Sequence, residues 1–174
     1  MGRGDTGVAE RVEFDYMRTP LRRYTFENKR ICEWVRAQCY GSVLNLFAGK
    51  TTVCESEVRN DVDPSMPAEY HLDALAFAER WPAEPFDTVI LDPPYSYRKS
   101  MEMYGGRVQS PFNAMKDALL RILAPEGRVI TFGYHSNVMG GKRGFELVKL
   151  LVMSHGGAIH DTIAAVEDRT SVVG

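Results

Sequence analysis

The sequence predicts a single α/β domain with a mostly parallel sheet and an antiparallel hairpin at its C-terminal end. Three observations carry this. Short apolar runs suited to buried strands, SVLNLFAG (42–49), FDTVIL (86–91) and RVITFG (128–133), are separated by helical or crossover-length segments. Two further apolar runs, 145–154 and 158–166, flank Gly156-Gly157, a pair that suits a hairpin turn. The length, 174 residues without a repeat or a Pro/Gly linker, is that of one domain.

Residues 1–12 read as a loose N-terminus, and the domain as 13–174. From Phe26 to Tyr40, Ile31, Trp34, Val35 and Cys39 recur at helical spacing between charges, and Gly41-Ser42 stops the helix. The run 42–49 is a buried strand ending in glycine. Residues 55–63 form a weaker strand that ends at Pro64, and 70–72 a third, followed by a short helix over 74–80. Phe86–Leu91 is a strong buried strand stopped by Asp92-Pro93-Pro94. Pro111–Leu123 is a helix with proline at its start. Residues 124–127 make a turn into the strand 128–133. The run 145–154 suits a strand or a helix.

Composition narrows the function. With 44% apolar and 25% charged residues, the chain is an ordinary globular one. It has no apolar run near the ~20 residues of a membrane span, and its first ten residues lack a signal-peptide core. Cys32, Cys39 and Cys54 are too few for a disulfide framework. The expectation is a reducing, cytoplasmic setting and no membrane. A net charge of −2 argues against a general polyanion binder, but the charges are segregated. Residues 11–36 hold seven basic side chains against four acids, 55–92 ten acids against two basics, and 96–116 four basics against one acid. A near-neutral total can thus hide a positive rim beside an acidic cleft.

In parallel α/β sheets, ligands bind at the carboxyl ends of the strands. The informative residues therefore follow each apolar run, and the most specific of them are Asp92-Pro93-Pro94-Tyr95. Consecutive prolines remove two backbone donors and set the chain direction. The Asp92 carboxylate and nearby carbonyls make a ring of acceptors, and Tyr95 offers a stacking surface. Such a set suits a planar aromatic amine. A plain strand-ending turn is the alternative.

FDTVILDPPYS (86–96) resembles the catalytic motif of S-adenosylmethionine-dependent amino-methyltransferases, above all the adenine-N6 DNA methyltransferases. VLNLFAG (43–49) resembles their cofactor motif, RILAPEGRVITFG (121–133) the helix–turn–strand after the catalytic motif, and 144–169 the closing hairpin. The resemblance spans about residues 25 to 169 and implies a Rossmann-like, class I methyltransferase sheet. It implies that Asp92 and the Pro93 carbonyl hold the amine within the Asp92-Pro93-Pro94-Tyr95 element, and that Tyr95 stacks on the base. Asn45, Phe47, Ala48 and Gly49 belong to the cofactor motif. Asp63, with Asp61 second, would bind the ribose hydroxyls, Asp73-Ala74 would meet the cofactor adenine, and Thr25 would belong to a further cofactor segment. Asp63 and Asp73 could equally be caps or turns.

Two features depart from the family pattern. Thr51 stands where a second glycine is usual, and Gly49 to Asp63 is short for a crossover of a dozen or more residues plus a strand. The first crossover helix is therefore expected to be short or missing. Gly49-Lys50-Thr51 imitates the end of a P-loop, but Leu44 stands where its first glycine belongs. The four histidines lack zinc spacing, so no metal is expected. The cysteines read as packing residues, and no hydrolase elbow is present.

The segment 95–110 interleaves Tyr97 and Tyr104 with Arg98, Lys99 and Arg107, a pattern suited to a flipped or single-stranded base. Lys142 and Arg143 would add phosphate contacts. The expected partner is nucleic acid, DNA over RNA, with a homodimer or a specificity-giving subunit as further partners. An RNA adenine-N6 or guanine-N2 methyltransferase, and a non-catalytic nucleic-acid-binding or scaffold subunit, are the alternatives.

Overall fold

A computed structural model describes residues 8–94 and 111–171. In chain order these form β1 (Val8–Arg18), α1 (Lys29–Gln38), β2 (Val43–Asn45), β3 (Val58–Arg59), α2 (Ala74–Arg80), β4 (Phe86–Leu91), α3 (Pro111–Ile122), β5 (Leu123–Gly133), β6 (Phe145–Ser154) and β7 (Thr162–Arg169). Short 3-10 turns lie at Thr25–Glu27 and Gly141–Arg143. The strands make one seven-stranded sheet in the order β1-β6-β7-β5-β4-β2-β3. β3, β2, β4 and β5 run parallel, while β7 pairs antiparallel with both β5 and β6. The expected mixed sheet and closing hairpin are therefore present. Gly156 and Gly157 both take positive φ, 77° and 60°, in the β6–β7 connection, a conformation that costs glycine little.

Helices cover both faces. α2 and α3 pack Phe77, Met115 and Leu119 onto Leu44, Val89, Leu91 and Val129. α1 packs Ile31 and Val35 onto Val43, Ile90, Ile130 and Leu151. Val89 and Leu91 of β4 and Val129 of β5 serve one core, and Ile90 of β4 with Ile130 and Phe132 of β5 the other, which is why these stretches are nearly all apolar rather than alternating. α1 begins later than its periodicity suggests. Asn28 caps it, accepting from the amides of Arg30 (3.0 Å) and Ile31 (3.4 Å), and Phe26 packs edge-on to Phe132. The bidentate Arg128–Asp168 pair, 2.6 and 2.9 Å, clamps β5 to β7, and Arg128 also donates to the Gln38 carbonyl at the end of α1.

The inner strands on the β3 side are short. β2 has three residues and β3 two, and residues 46–57 connect them without an α-helix. The missing crossover helix is thus an observed feature. The expected third strand shrinks to one parallel bridge between Asn60 and Tyr70. Two further elements differ from expectation. Residues 124–127, read as a turn, belong to β5, within an irregularity where its pairing with β4 jumps from Leu123 to Arg128. Residues 8–12, read as loose, begin the 11-residue β1, which lies parallel to β6 at the sheet edge. Residues 1–7 lie outside the described residues. Val12, Phe14 and Tyr16 alternate in β1, but charges between them and the exposure of Phe14 (62%) and Tyr16 (57%) leave no apolar run to read. Among the described residues no helix is long and apolar enough to cross a membrane.

Candidate active site

The cleft forms where three successive parallel strands end. β2 runs into Leu46-Phe47-Ala48-Gly49, β3 into Asn60-Asp61, and β4 into Asp92-Pro93-Pro94. Together with Leu21–Phe26 before α1 and the Asp73-Ala74 start of α2, these ends line a cavity of about 700 Å³. Tyr134, just past β5, and Thr162, at the start of β7, complete the lining. The volume lies within the range of small-molecule and cofactor clefts. β4 is buried along nearly its whole length, so it presents Asp92 from a rigid support. Asp92 itself is half-buried, Pro93 buried and Pro94 exposed.

The acids of the cleft have distinct surroundings. Asp61 joins the tip of β3 to the loop after β2. Its Oδ2 accepts from the Gly49 amide at 2.8 Å, and its Oδ1 from the Asp63 amide at 2.9 Å. Gly49 has φ +59°, the left-handed region, which orients that amide and favours glycine. The Asp63 carboxylate accepts from the Ser65 hydroxyl (2.7 Å) and amide (2.9 Å), and those bonds hold its pKa below the usual carboxylate value. Asp73 is the N-cap of α2, accepting from Leu75 and Ala76 amides at 3.0 and 3.3 Å, so its capping role accompanies its place in the cleft.

A cationic wall stands beside this acidic one. The Lys50 ammonium lies 5.0 Å, and the Arg23 guanidinium 5.5 Å, from the centre of the Tyr24 ring, and all three residues line the cleft with Arg22. Exposed Tyr134 packs against His160 with ring centres 5.9 Å apart.

Of the residues singled out from the sequence, the structure brings Thr25, Phe47, Ala48, Gly49, Asp61, Asp63, Asp73, Ala74, Asp92, Pro93 and Pro94 to this one cavity. Asn45 is not among its lining. It is fully buried, and its Nδ2 donates to Glu57 at 3.4 Å, because position 45 lies within β2 rather than past its end. Lys142 and Arg143 stand at the opposite ends of the strands from the cleft. They precede β6, whose first residue pairs with Arg169 beside the Arg128–Asp168 end of β5, whereas the cleft lies beyond Gly133. Arg143 there donates to Asp117 at 2.8 Å. Tyr95, Tyr97, Arg98, Lys99, Tyr104 and Arg107 lie outside the described residues.

Metal-ligand clusters of His, Cys, Asp or Glu are absent among the described residues. His155 serves structure, contacting the Thr19 carbonyl (3.0 Å) and the Thr162 hydroxyl (2.8 Å). Burial raises the thiol pKa values of Cys32, Cys39 and Cys54, as suits packing rather than nucleophilic cysteines.

Sequence reasoning missed Glu57, Arg59 and Asn60, all buried. Asn60 stitches the strand tips together. Its Nδ2 donates to the Leu46 and Leu72 carbonyls (3.2 and 3.0 Å), and its Oδ1 accepts from the Leu72 amide (3.0 Å). The available signal was ESEVRND, a charged run at a position the sheet has to bury.

No family model matches the chain, and no curated protein matches it by sequence. Solved structures do. The N-methyltransferase NodS from Bradyrhizobium japonicum WM9 superposes with a TM-score of 0.60 at 16% identity, over 87% of this chain and 100% of that one. TrmN from Thermus thermophilus gives 0.55 at 16% identity, over 80% of this chain and 47% of that one. A Pyrococcus abyssi tRNA (uracil-54, C5)-methyltransferase in complex with S-adenosyl-L-homocysteine gives 0.52 at 13% identity, over 86% and 40%. The chain has the class I methyltransferase fold that these structures share.

Proposed function

We propose that this chain transfers a methyl group from S-adenosylmethionine to the exocyclic N6 amine of adenine in DNA. One observation carries the reading: Asp92-Pro93-Pro94 and the Phe47-Ala48-Gly49 loop, the two motifs that resemble methyltransferase sequences, open onto one cavity. Its size and its acidic and cationic walls suit a zwitterionic nucleoside cofactor. Phe47, Ala48 and Gly49 would line the methionine end with Thr25 nearby, Asp61 and Asp63 would take the ribose hydroxyls, and Asp73-Ala74 would meet the adenine. When bound, S-adenosylmethionine supplies an electrophilic methyl carbon on a sulfonium centre.

The chain's own groups act on the acceptor. The Asp92 carboxylate and the Pro93 carbonyl accept hydrogen bonds from the amine and aim its lone pair into the cleft. Asp92 then stabilises the positive charge that develops on nitrogen. A strong base is unnecessary, because the N–H becomes acidic as that charge grows. A base within a duplex cannot reach such a pocket, so it enters flipped out or single-stranded. Arg22, Arg23 and Lys50 at the rim fit contacts to its phosphates.

Incubation with labelled methyl donor and separate DNA, RNA and protein pools, followed by nucleoside analysis, tests this. N6-methyl-2′-deoxyadenosine from the DNA pool is the expected product. Label confined to RNA would move the substrate to RNA. No label in any pool, together with no calorimetric binding of S-adenosylhomocysteine, would favour a non-catalytic subunit.

A further inference from the structure

We propose that Arg59 stands in for the missing first crossover helix and is the positioning residue that shapes the cofactor-side loop; the cofactor half of this inference rests on the function proposed above. Where a strand runs into a helix, the helix organises the intervening loop through its free N–H groups. Residues 46–57 contain no α-helix, so their backbone groups need other partners. Arg59 supplies them from within the core at 7% exposure. Its Nη2 donates to the carbonyls of Ala48 (3.2 Å) and Gly49 (2.8 Å), its Nη1 to Thr51 (3.1 Å), and its Nε to Pro67 (2.8 Å). The remaining Nη1 hydrogen goes to Glu57. All five guanidinium N–H groups are thus engaged.

Glu57 completes the device from the other side. Its carboxylate accepts from the amides of Val53 (3.2 Å) and Cys54 (3.0 Å). The buried ion pair therefore holds the carbonyls of the first half of the loop and the amides of the second. Three of the carbonyls belong to Ala48, Gly49 and Thr51, which line the cleft. Thr51 itself occupies the position where the resembling family carries a second glycine. A planar fork can bind several carbonyls in fixed directions, whereas a lysine ammonium offers three donors at one point.

The test uses the full-length chain with R59K, which keeps the charge beside Glu57, and E57Q/R59Q, which removes both charges without leaving one buried alone. Calorimetry with S-adenosylhomocysteine, amide exchange of the cofactor-free protein, and steady-state kinetics are the readouts. The expected result is a Kd for S-adenosylhomocysteine weakened at least about 10-fold, the scale of loss that slight mispositioning produces. KM for the donor rises in step, while kcat at saturating donor stays within about threefold. Amide protection falls over residues 48–54 and is unchanged in β4 and β5. Unaltered affinity and exchange in folded R59K would overturn the proposal. So would a uniform loss of protection that includes β4 and β5, since that reports general destabilisation. Wild-type protein that fails to bind S-adenosylhomocysteine would count against the methyltransferase function instead, and the exchange arm would still decide whether Arg59 holds the loop.

Discussion

Replacing Asn60 probes the junction on which the cleft is built. The side chain is 1% exposed and makes three hydrogen bonds, to the Leu46 carbonyl, the Leu72 carbonyl and the Leu72 amide. The two carbonyls require a donor and the amide an acceptor, so only a carboxamide in this orientation serves all three. At about 1 kcal/mol per net hydrogen bond, Asn60→Ala should cost about 3 kcal/mol. For a domain of this size that lowers Tm by about 6–12 °C. Asn60→Asp is nearly isosteric, yet it turns a carboxylate oxygen toward two carbonyl oxygens. It should cost at least as much at neutral pH and recover in part as the pH falls through the carboxylate range. Urea unfolding at pH 7 and pH 5 measures both variants, and an unchanged m-value would show that only stability has moved. A cost below about 1 kcal/mol for Asn60→Ala, or wild-type stability of Asn60→Asp at pH 7, would refute the role assigned to this side chain.

Three other expectations follow from the same geometry. Asp92→Ala should lower methyl transfer by at least about 10²-fold while calorimetry still detects S-adenosylhomocysteine, because in the proposed reaction its carboxylate holds the acceptor amine rather than the cofactor; an unchanged rate would remove it from that role. Gly49→Ala, at φ +59°, should cost about 1–2 kcal/mol in urea unfolding and weaken S-adenosylhomocysteine binding, because the left-handed backbone that aims its amide at Asp61 becomes strained. Burial, reinforced by Arg143, lowers the Lys116 pKa from 10.5 to about 8, while Glu167 and Asp117 oppose the shift. Between those values the unfolded chain binds the extra proton, so this lysine makes stability rise with pH over that window. Unfolding curves at pH 8 and pH 10 should show that contribution in wild type and lose it in Lys116→Met; equal pH dependence in the two proteins would contradict it.

Legibility from the sequence tracked local physics. FDTVIL is recognisable because a strand buried on both faces has few other ways to satisfy its side chains, whereas FELVKLLVMS suits a strand or a helix until its pairing with β7 decides for the strand. The helix over Ala74–Arg80 was equally clear, with Asp73 supplying the cap. β1 was not. Its partner β6 lies more than a hundred residues away, and its own residues expose two aromatics and alternate with charges. Lys142 and Arg143 look like rim residues beside a glycine pair, but only the strand directions place them at the opposite strand ends from Asp92.

By itself the sequence determined the buried strands β2, β4 and β5, the helices that separate them, the shortened connection after Gly49, and the residues past those strand ends, because apolar period, proline and glycine act over a few neighbours. Only the tertiary structure decided that Asn45 turns inward, that Asp61 rather than a helix meets the Gly49 amide, and that Glu57 and Arg59 lie buried within that connection. The reason is one of desolvation: a charged run such as ESEVRND looks like a solvated surface until the fold supplies every donor and acceptor it needs to leave water.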